Sequence, residues 1–213
     1  MKALVTGGAG FIGSNLVEAL VDDYEVTVLD NLHTGSMDNL KSVQKDVKFV
    51  KGSCNNCLDL GLEQHEIIFH LGIPSSSPMY KKDPFLVGEA INGMVAIMEL
   101  ARKSETKKVV FASSSSVYNG VPTPHREDAV IPVKDYYTEA RLAIARVAEQ
   151  ILHFTRRPSP RCRGRWIIPS PPIRPMWMAR SMCWPGTAEQ RNSSSHPHQR
   201  STAMSRRCPS EKT

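Results

Sequence analysis

Short apolar, β-branched runs recur along the first part of the chain, each closed by turn residues: Ala3–Thr6, Glu25–Leu29, Val47–Val50, Glu66–Leu71 and Lys108–Ser113. Several are nearly continuous in apolar residues rather than alternating, as a strand buried on both faces of a parallel sheet requires. Between them the apolar positions take helical spacing. Phe11, Ile12, Leu16, Leu20 and Val21 predict one face of a helix after the first strand. Phe85, Val87, Ile91, Val95, Met98 and Leu100 predict a long helix before the fifth strand, core on one side. Strand alternating with helix predicts right-handed βαβ crossovers and an α/β fold with a doubly wound parallel sheet.

The pattern stops near Leu152. Beyond it come Arg156–Arg157–Pro158, Pro171–Pro172 and Ser193–Ser194–Ser195 with no sustained apolar period, and frequent proline forbids long helices and central strands. Charge changes at the same place. The 213 residues carry a net +6, but residues 1–150 are net −4 and residues 151–213 net +10, so the basicity does not describe the folded part. The basic residue type switches too, from 11 Lys and 4 Arg to 1 Lys and 11 Arg. A domain over 1–152 is therefore expected, followed by an irregular Arg/Pro/Ser-rich tail over 153–213. A shifted reading frame of a GC-rich gene produces such a switch, and the tail is expected to be out of frame or disordered. The competing reading is an arm that binds phosphate backbones, with Trp166, Trp177 and Trp184 stacking on bases. Its arginines form no patterned face, so nucleic acid is not the favoured partner.

Other chemistry is excluded more simply. No window approaches the roughly 18 consecutive apolar residues of a membrane span. Met1–Lys2 runs directly into a strand-like segment, and the five cysteines are odd in number, so a reducing, cytoplasmic setting is expected. Cys54 and Cys57 have redox or half-zinc spacing but no second ligand pair nearby, and no metal is expected. His70 closes a strand and reads as a hydrogen-bonded core residue.

The candidate site begins in the first turn, Thr6–Gly7–Gly8–Ala9–Gly10–Phe11–Ile12–Gly13. Gly7 allows a tight exit from the strand, Gly10 lets a diphosphate approach the backbone, and Gly13 lets the helix lie close to the sheet. Free amides and the positive dipole end at the helix start then hold phosphate. The second strand ends at Asp30, where a carboxylate accepts bonds from both adenosine ribose hydroxyls and repels a 2′-phosphate. Neither residue after Asp30 is Arg or Lys, so NAD is expected over NADP.

These segments, together with Asp30–Asn31–Leu32–His33–Thr34–Gly35, His70–Leu71–Gly72 and Ser113–Ser114–Ser115–Ser116–Val117–Tyr118, resemble the extended short-chain dehydrogenase/reductase family over residues 1–152. The likeness is to its nucleotide-sugar epimerases and dehydratases, of the UDP-glucose 4-epimerase type. It implies a Rossmann domain whose C-terminal substrate domain is missing here, replaced by the basic tail. It implies NAD contacts from Gly7, Gly10, Phe11, Ile12, Gly13, Asp30, Asn31, Ser53, Cys54, Leu71, Gly72, Asn92, Tyr137 and Arg141. Asn92 would brace the strand ends. It also implies a UDP-sugar or other nucleotide-sugar substrate, and a homodimer through the helix over 85–100 and the helix that carries Tyr137.

The resemblance places the catalytic trio on Ser114, Tyr137 and Arg141. Ser114, at the end of the fifth strand, would bond the reacting sugar oxygen, and Tyr137 would take the hydroxyl proton while hydride passes to the nicotinamide. A free tyrosine ionises near pH 10, so a phenolate at pH 7 needs about 4 kcal/mol of preferential stabilisation. The family supplies it with a lysine one helical turn on; here that residue is Arg141, which keeps the charge but changes the geometry. Ser53–Cys54 stands where relatives often carry an aspartate and an aliphatic residue beside the adenine. The expected function is NAD-dependent nucleotide-sugar 4-epimerisation, by transient oxidation and hydride return, truncated or impaired in this chain. The alternatives are an NAD-binding remnant without turnover and a nucleic-acid binder.

Overall fold

The computed structural model describes residues 1–62, 64–126, 129–155 and 180–183. Five strands are parallel: β1 (Lys2–Thr6), β2 (Glu25–Asp30), β3 (Val47–Lys51), β4 (Ile67–His70) and β5 (Lys108–Phe111). A sixth, β6 (Arg180–Cys183), pairs antiparallel with β5 at the edge of the sheet. The order is β3-β2-β1-β4-β5-β6. The chain winds outward from β1 to β3, returns, and winds the other way from β4, so β1 and β4 lie side by side with crossovers leaving in opposite directions. A crevice opens at the carboxyl ends of strands at such a switch point. The doubly wound parallel sheet expected from the apolar runs is present.

Strand residues alternate between two cores. In β1, Leu4 packs on the side of α3 (Leu86–Lys103) and α4 (Tyr136–Thr155), while Val5 packs on the side of α1 (Phe11–Leu20). Leu29 and Val28 of β2 divide in the same way, and all four are fully buried. Each contributes about 1.5–3 kcal/mol on leaving water, which is why neither face of these strands carries a polar stripe.

The helices depart from expectation in instructive ways. Only 3-10 turns, Met37–Leu40 and Cys54–Asp59, occupy the β2–β3 and β3–β4 connections. The second turn lies directly against α3: a Cβ on Gly93 would stand 3.3 Å from the Cys54 Cβ, leaving no space for a full helix. Phe11 and Ile12 do not face the core. They are 85% and 69% exposed, and α1 buries Gly13, Ser14 and Val17 instead. The first turn of α1 points across the strand ends, so side chains there stand at the crevice mouth. In α3 the buried stripe runs through Ala90, Gly93, Met94, Ile97 and Ala101, while Phe85 and Val95 are exposed. Met98 and Leu100 of the expected stripe are buried with Met94 and Ile97, whereas its Phe85 and Val95 fall outside.

Other boundaries hold or shift by a residue or two. β5 ends at Phe111 rather than Ser113, because Ser114 already caps the 3-10 turn Ser115–Tyr118. The Asp135 carboxylate accepts the Thr138 amide at 2.7 Å and the Ser77 hydroxyl at 2.9 Å, which starts α4 and puts Tyr137 in its first turn. Those bonds, the backbone one first, hold Asp135 below the usual carboxylate range. Apart from the last three residues of α4 and β6, the tail, with its three tryptophans and the frame-shift expectation, lies outside the described residues. Among those described, no helix is long and apolar enough to cross a membrane.

Candidate functional site

Gly7 leaves β1 in the left-handed region, φ +70°, and its amide donates to the Leu29 carbonyl at 2.8 Å. A Cβ there would lie 2.7 Å from the Gly72 amide nitrogen, so the turns after β1 and β4 are in backbone contact at the switch point. Gly10 is the N-cap of α1 and has no side chain to satisfy the first-turn amides, and no acid sits in that turn. The helix start therefore presents unspent donors and an uncancelled positive dipole end. A Cβ on Gly10 would meet only the Gly7 carbonyl oxygen, at 3.2 Å. Packing leaves this spot open, as a cradle for a diphosphate requires.

Asp30 ends β2, 7% exposed. One carboxylate oxygen accepts the Ala9 amide at 3.0 Å and the other the Leu32 amide at 2.8 Å. Each oxygen keeps a second lone pair for a ribose hydroxyl. The loop after β2 is clasped to the glycine turn, since the Ser36 amide and the Asn39 side chain both donate to the Ala9 carbonyl, at 3.0 and 2.8 Å. Asn31 turns its own loop by accepting the His33 amide.

From Asp30 a cleft of about 790 Å³ runs across the strand ends, a usual size for ligand sites. Its walls include Gly7, Gly10, Phe11, Ile12 and Gly13 from the first turn, Asn31, Ser53 and Cys54 from the segments after β2 and β3, and Leu71 and Gly72 from the end of β4. Ser114, Tyr137 and Arg141 line the other end. The structure thus brings together every residue singled out in the sequence except Asn92. That side chain is exposed on α3 and does not line the cleft; Gly93 takes the inward position beside it.

Arg141 is buried, and among the described residues it forms no salt bridge with an acid. It is 6% exposed, and its two terminal nitrogens donate to the Ala112 carbonyl at 3.1 Å and the Pro74 carbonyl at 3.2 Å. It therefore ties the exit of β5 to the exit of β4. The guanidinium carbon stands 4.9 Å from the centre of the Tyr137 ring, a cation–π distance. Tyr80 meets the same ring edge-on at 5.6 Å and donates to Pro74 as well. Ser114 caps its own turn, accepting the Ser116 amide at 3.2 Å and sharing a 2.7 Å bond with the Ser116 hydroxyl.

Beneath the cleft, sequence reading found a core histidine and missed its network. His70 is fully buried, and its Nδ1 shares a 2.8 Å bond with the Thr6 hydroxyl, which also accepts the Gly72 amide at 3.0 Å. Burial, with the Arg141 charge second, pushes the His70 pKa down to about 3 from an ordinary 6.5. The unfolded chain binds the proton first, so stability is full above pH 6.5 and falls as pH drops from there toward 3. The expected slope from this group is about 1.4 kcal/mol per pH unit. Urea unfolding of the parent and His70→Asn between pH 7.5 and 4.5 checks this: the variant should be less stable but have a shallower slope, and parallel slopes would refute it.

The thiols are quiet. Cys54 donates to the Gly72 carbonyl at 3.4 Å, and burial pushes its pKa up to about 11 and that of Cys57 up to about 12. Both are free cysteines. Among the described residues no group of His, Cys, Asp or Glu could hold a metal ion. The cleft wall also includes Ser75, Met79, Asp83 and Glu89, which carried no motif in the sequence. Their signal was positional: they follow the strand that opens the switch point. Phe11 and Ile12, on the cleft wall, are exposed, as are Phe85 and Tyr136, next in sequence to the lining residues Leu86 and Tyr137.

The signature of the NAD dependent epimerase/dehydratase family matches residues 3–153. The chain is similar to the UDP-glucose 4-epimerase of Mycolicibacterium smegmatis, 38% identical over 152 residues, which is 67% of this chain and 49% of that one. It is also similar to the UDP-N-acetyl-alpha-D-glucosaminuronate decarboxylase of Bacillus cytotoxicus, 34% identical over 60% of this chain and 40% of that one. Among solved structures, the Thermus thermophilus UDP-glucose 4-epimerase in complex with NAD superposes with a TM-score of 0.62 at 30% identity, over 72% of this chain and 51% of that one. The chain spans about half the length, or less, of the curated relatives it matches.

Proposed function

The chain belongs to the NAD-dependent epimerase/dehydratase family, and from that premise we propose that it is the dinucleotide-binding half of a nucleotide-sugar 4-epimerase, impaired in turnover as it stands. The observation that carries this reading is one continuous cleft with Gly10 and Asp30 at one end and Ser114 and Tyr137 at the other. When bound, NAD supplies the hydride acceptor for a sugar hydroxyl. The residues present fit it. First-turn amides of α1 would hold the diphosphate, Asp30 the adenosine ribose, and Ser114 and Tyr137 would face the nicotinamide end. Ser114 Oγ would orient the sugar hydroxyl by a hydrogen bond, and Tyr137 Oη would take its proton and return it. A UDP-sugar fits the names of the relatives, which include a decarboxylase as well as epimerases.

A second reading, NAD binding without turnover, is favoured by Arg141. Its terminal nitrogens are engaged by two backbone carbonyls, and its charge lies by the Tyr137 ring rather than being free to turn toward a ribose. The two readings separate on one preparation. Calorimetric titration with NAD should give binding in both, and conversion of UDP-galactose to UDP-glucose that is lost in Tyr137→Phe supports the first alone. NADP should bind at least about tenfold more weakly than NAD, because its 2′-phosphate would face the Asp30 carboxylate. Equal affinities in the same titration would refute that placement, and no affinity for NAD would end both readings.

A further inference from the structure

We propose that the base end of the cleft accepts either hydrogen-bond polarity, so that this chain takes nicotinamide hypoxanthine dinucleotide about as well as NAD. The inference rests on reading the cleft as the NAD site. Asp30 fixes which end holds the adenosine ribose. The base attached to that ribose lies beyond it, toward the end of β3, where the wall is made by Gly52, Ser53, Cys54 and Asn55. None of the four carries a charge. The Cys54 thiol donates to the Gly72 carbonyl and keeps its proton, its pKa being raised to about 11 by burial. That leaves Ser53 and Asn55 to meet the edge of the base.

Both are bifunctional. Ser53 Oγ accepts the Asn55 amide at 3.2 Å, a bond that uses one lone pair and leaves the hydroxyl proton and the other lone pair free to choose a partner. The Asn55 side chain offers a carbonyl oxygen and an NH2 on one planar group. Its Oδ1 lies against α3, 3.1 Å from where a Cβ on Gly93 would stand. The adenine edge presents an amine donor at position 6 and an acceptor at N1. The hypoxanthine edge inverts both, with a carbonyl at position 6 and an N–H at N1. A hydroxyl rotates to serve either. A carboxylate at the same place could only accept, and the carbonyl of hypoxanthine would then face an oxygen with no proton between them. Ser53 is half-buried and Asn55 exposed, so the bound base itself would cover them, and polar groups then left unpaired give a site its discrimination.

The test is calorimetric titration of the purified chain, and of Ser53→Asp, with the two dinucleotides. The parent should bind both with dissociation constants within about fivefold of each other, and the variant should prefer NAD by about tenfold or more. Aspartate is as good an N-cap as serine, so the 3-10 turn that begins at Cys54 survives the change. A parent that prefers NAD by tenfold or more overturns the inference while leaving the NAD reading intact. So does a variant whose ratio does not move. Binding of neither dinucleotide overturns the NAD reading, and this inference with it.

Discussion

Alanine in place of Gly13 is expected to lower stability by several kcal/mol and to abolish measurable NAD binding. A Cβ at this position would lie 2.1 Å from the Gly7 carbonyl oxygen, 2.7 Å from the Gly8 Cα and 2.8 Å from the Gly7 carbonyl carbon. All three are backbone atoms of the turn that must cradle the diphosphate, so no side-chain rotation relieves the clash. Local propensity points the other way: inside a helix, alanine is favoured over glycine by about 1 kcal/mol. Overpacking against an immobile neighbour costs about 1–3 kcal/mol and more where backbone must move, out of a total near 5–15 kcal/mol for a domain. The clash wins. Circular dichroism melts and NAD calorimetry check it, with Gly10→Ala as the contrast. Gly10 already has φ −77°, and a Cβ there would meet one neighbour, the Gly7 carbonyl oxygen at 3.2 Å, so its alanine should fold with a much smaller loss of stability than Gly13→Ala while losing about tenfold or more in NAD affinity. A Gly13→Ala protein that melts as high as the parent would show that α1 does not depend on this contact.

The second large effect is expected at Asp30. Truncation to alanine removes the acceptor for the Ala9 and Leu32 amides, and a buried donor left without a partner costs about 1–3 kcal/mol. Two hydrogen bonds from ribose hydroxyls to a charged acceptor go with it, at about 1.5–3 kcal/mol each. NAD affinity should fall by about a hundredfold or more. The preference over NADP should vanish, because the repelling carboxylate is gone. Asp30→Asn separates the contributions: it keeps one acceptor oxygen, so affinity should fall less, and the loss of discrimination should remain. Titration of both variants with both dinucleotides decides the matter, and an affinity within threefold of the parent in Asp30→Ala would mean that the ribose lies elsewhere.

Much of this site was legible before any fold was known, and the misses share a cause. The glycine spacing, the acid at the end of β2 and the order of motifs all rest on local requirements: a left-handed turn, a helix start without a capping side chain, a strand that stops at a carboxylate. Phe11 and Ile12 share an apolar helix face with Leu16 and Leu20, yet they stand exposed on the cleft wall, because periodicity reports which residues share a helix face and not what that face meets. Asn92, expected by likeness to brace the strand ends, is exposed on α3, while Gly93, about 100° further round the helix, lines the cleft. Arg141 reads in the sequence as a substitute charge, and the structure adds that it is a buried tie between Ala112 and Pro74. Nothing within four residues of it encodes that role, since its partners lie 29 and 67 positions away.

The amino-acid order alone determined the five parallel strands, the two-sided burial of β1 and β2 and the glycine turn after β1, since each follows from side-chain period and backbone sterics within about ten residues. Only the tertiary structure decided which strands meet at the switch point, how Thr6, His70 and Gly72 lock the floor of the cleft, and which atoms Arg141 can reach. Those outcomes depend on the close approach of segments 29 to 67 residues apart. Such contacts form only after the sheet has assembled, and no window of sequence contains both partners.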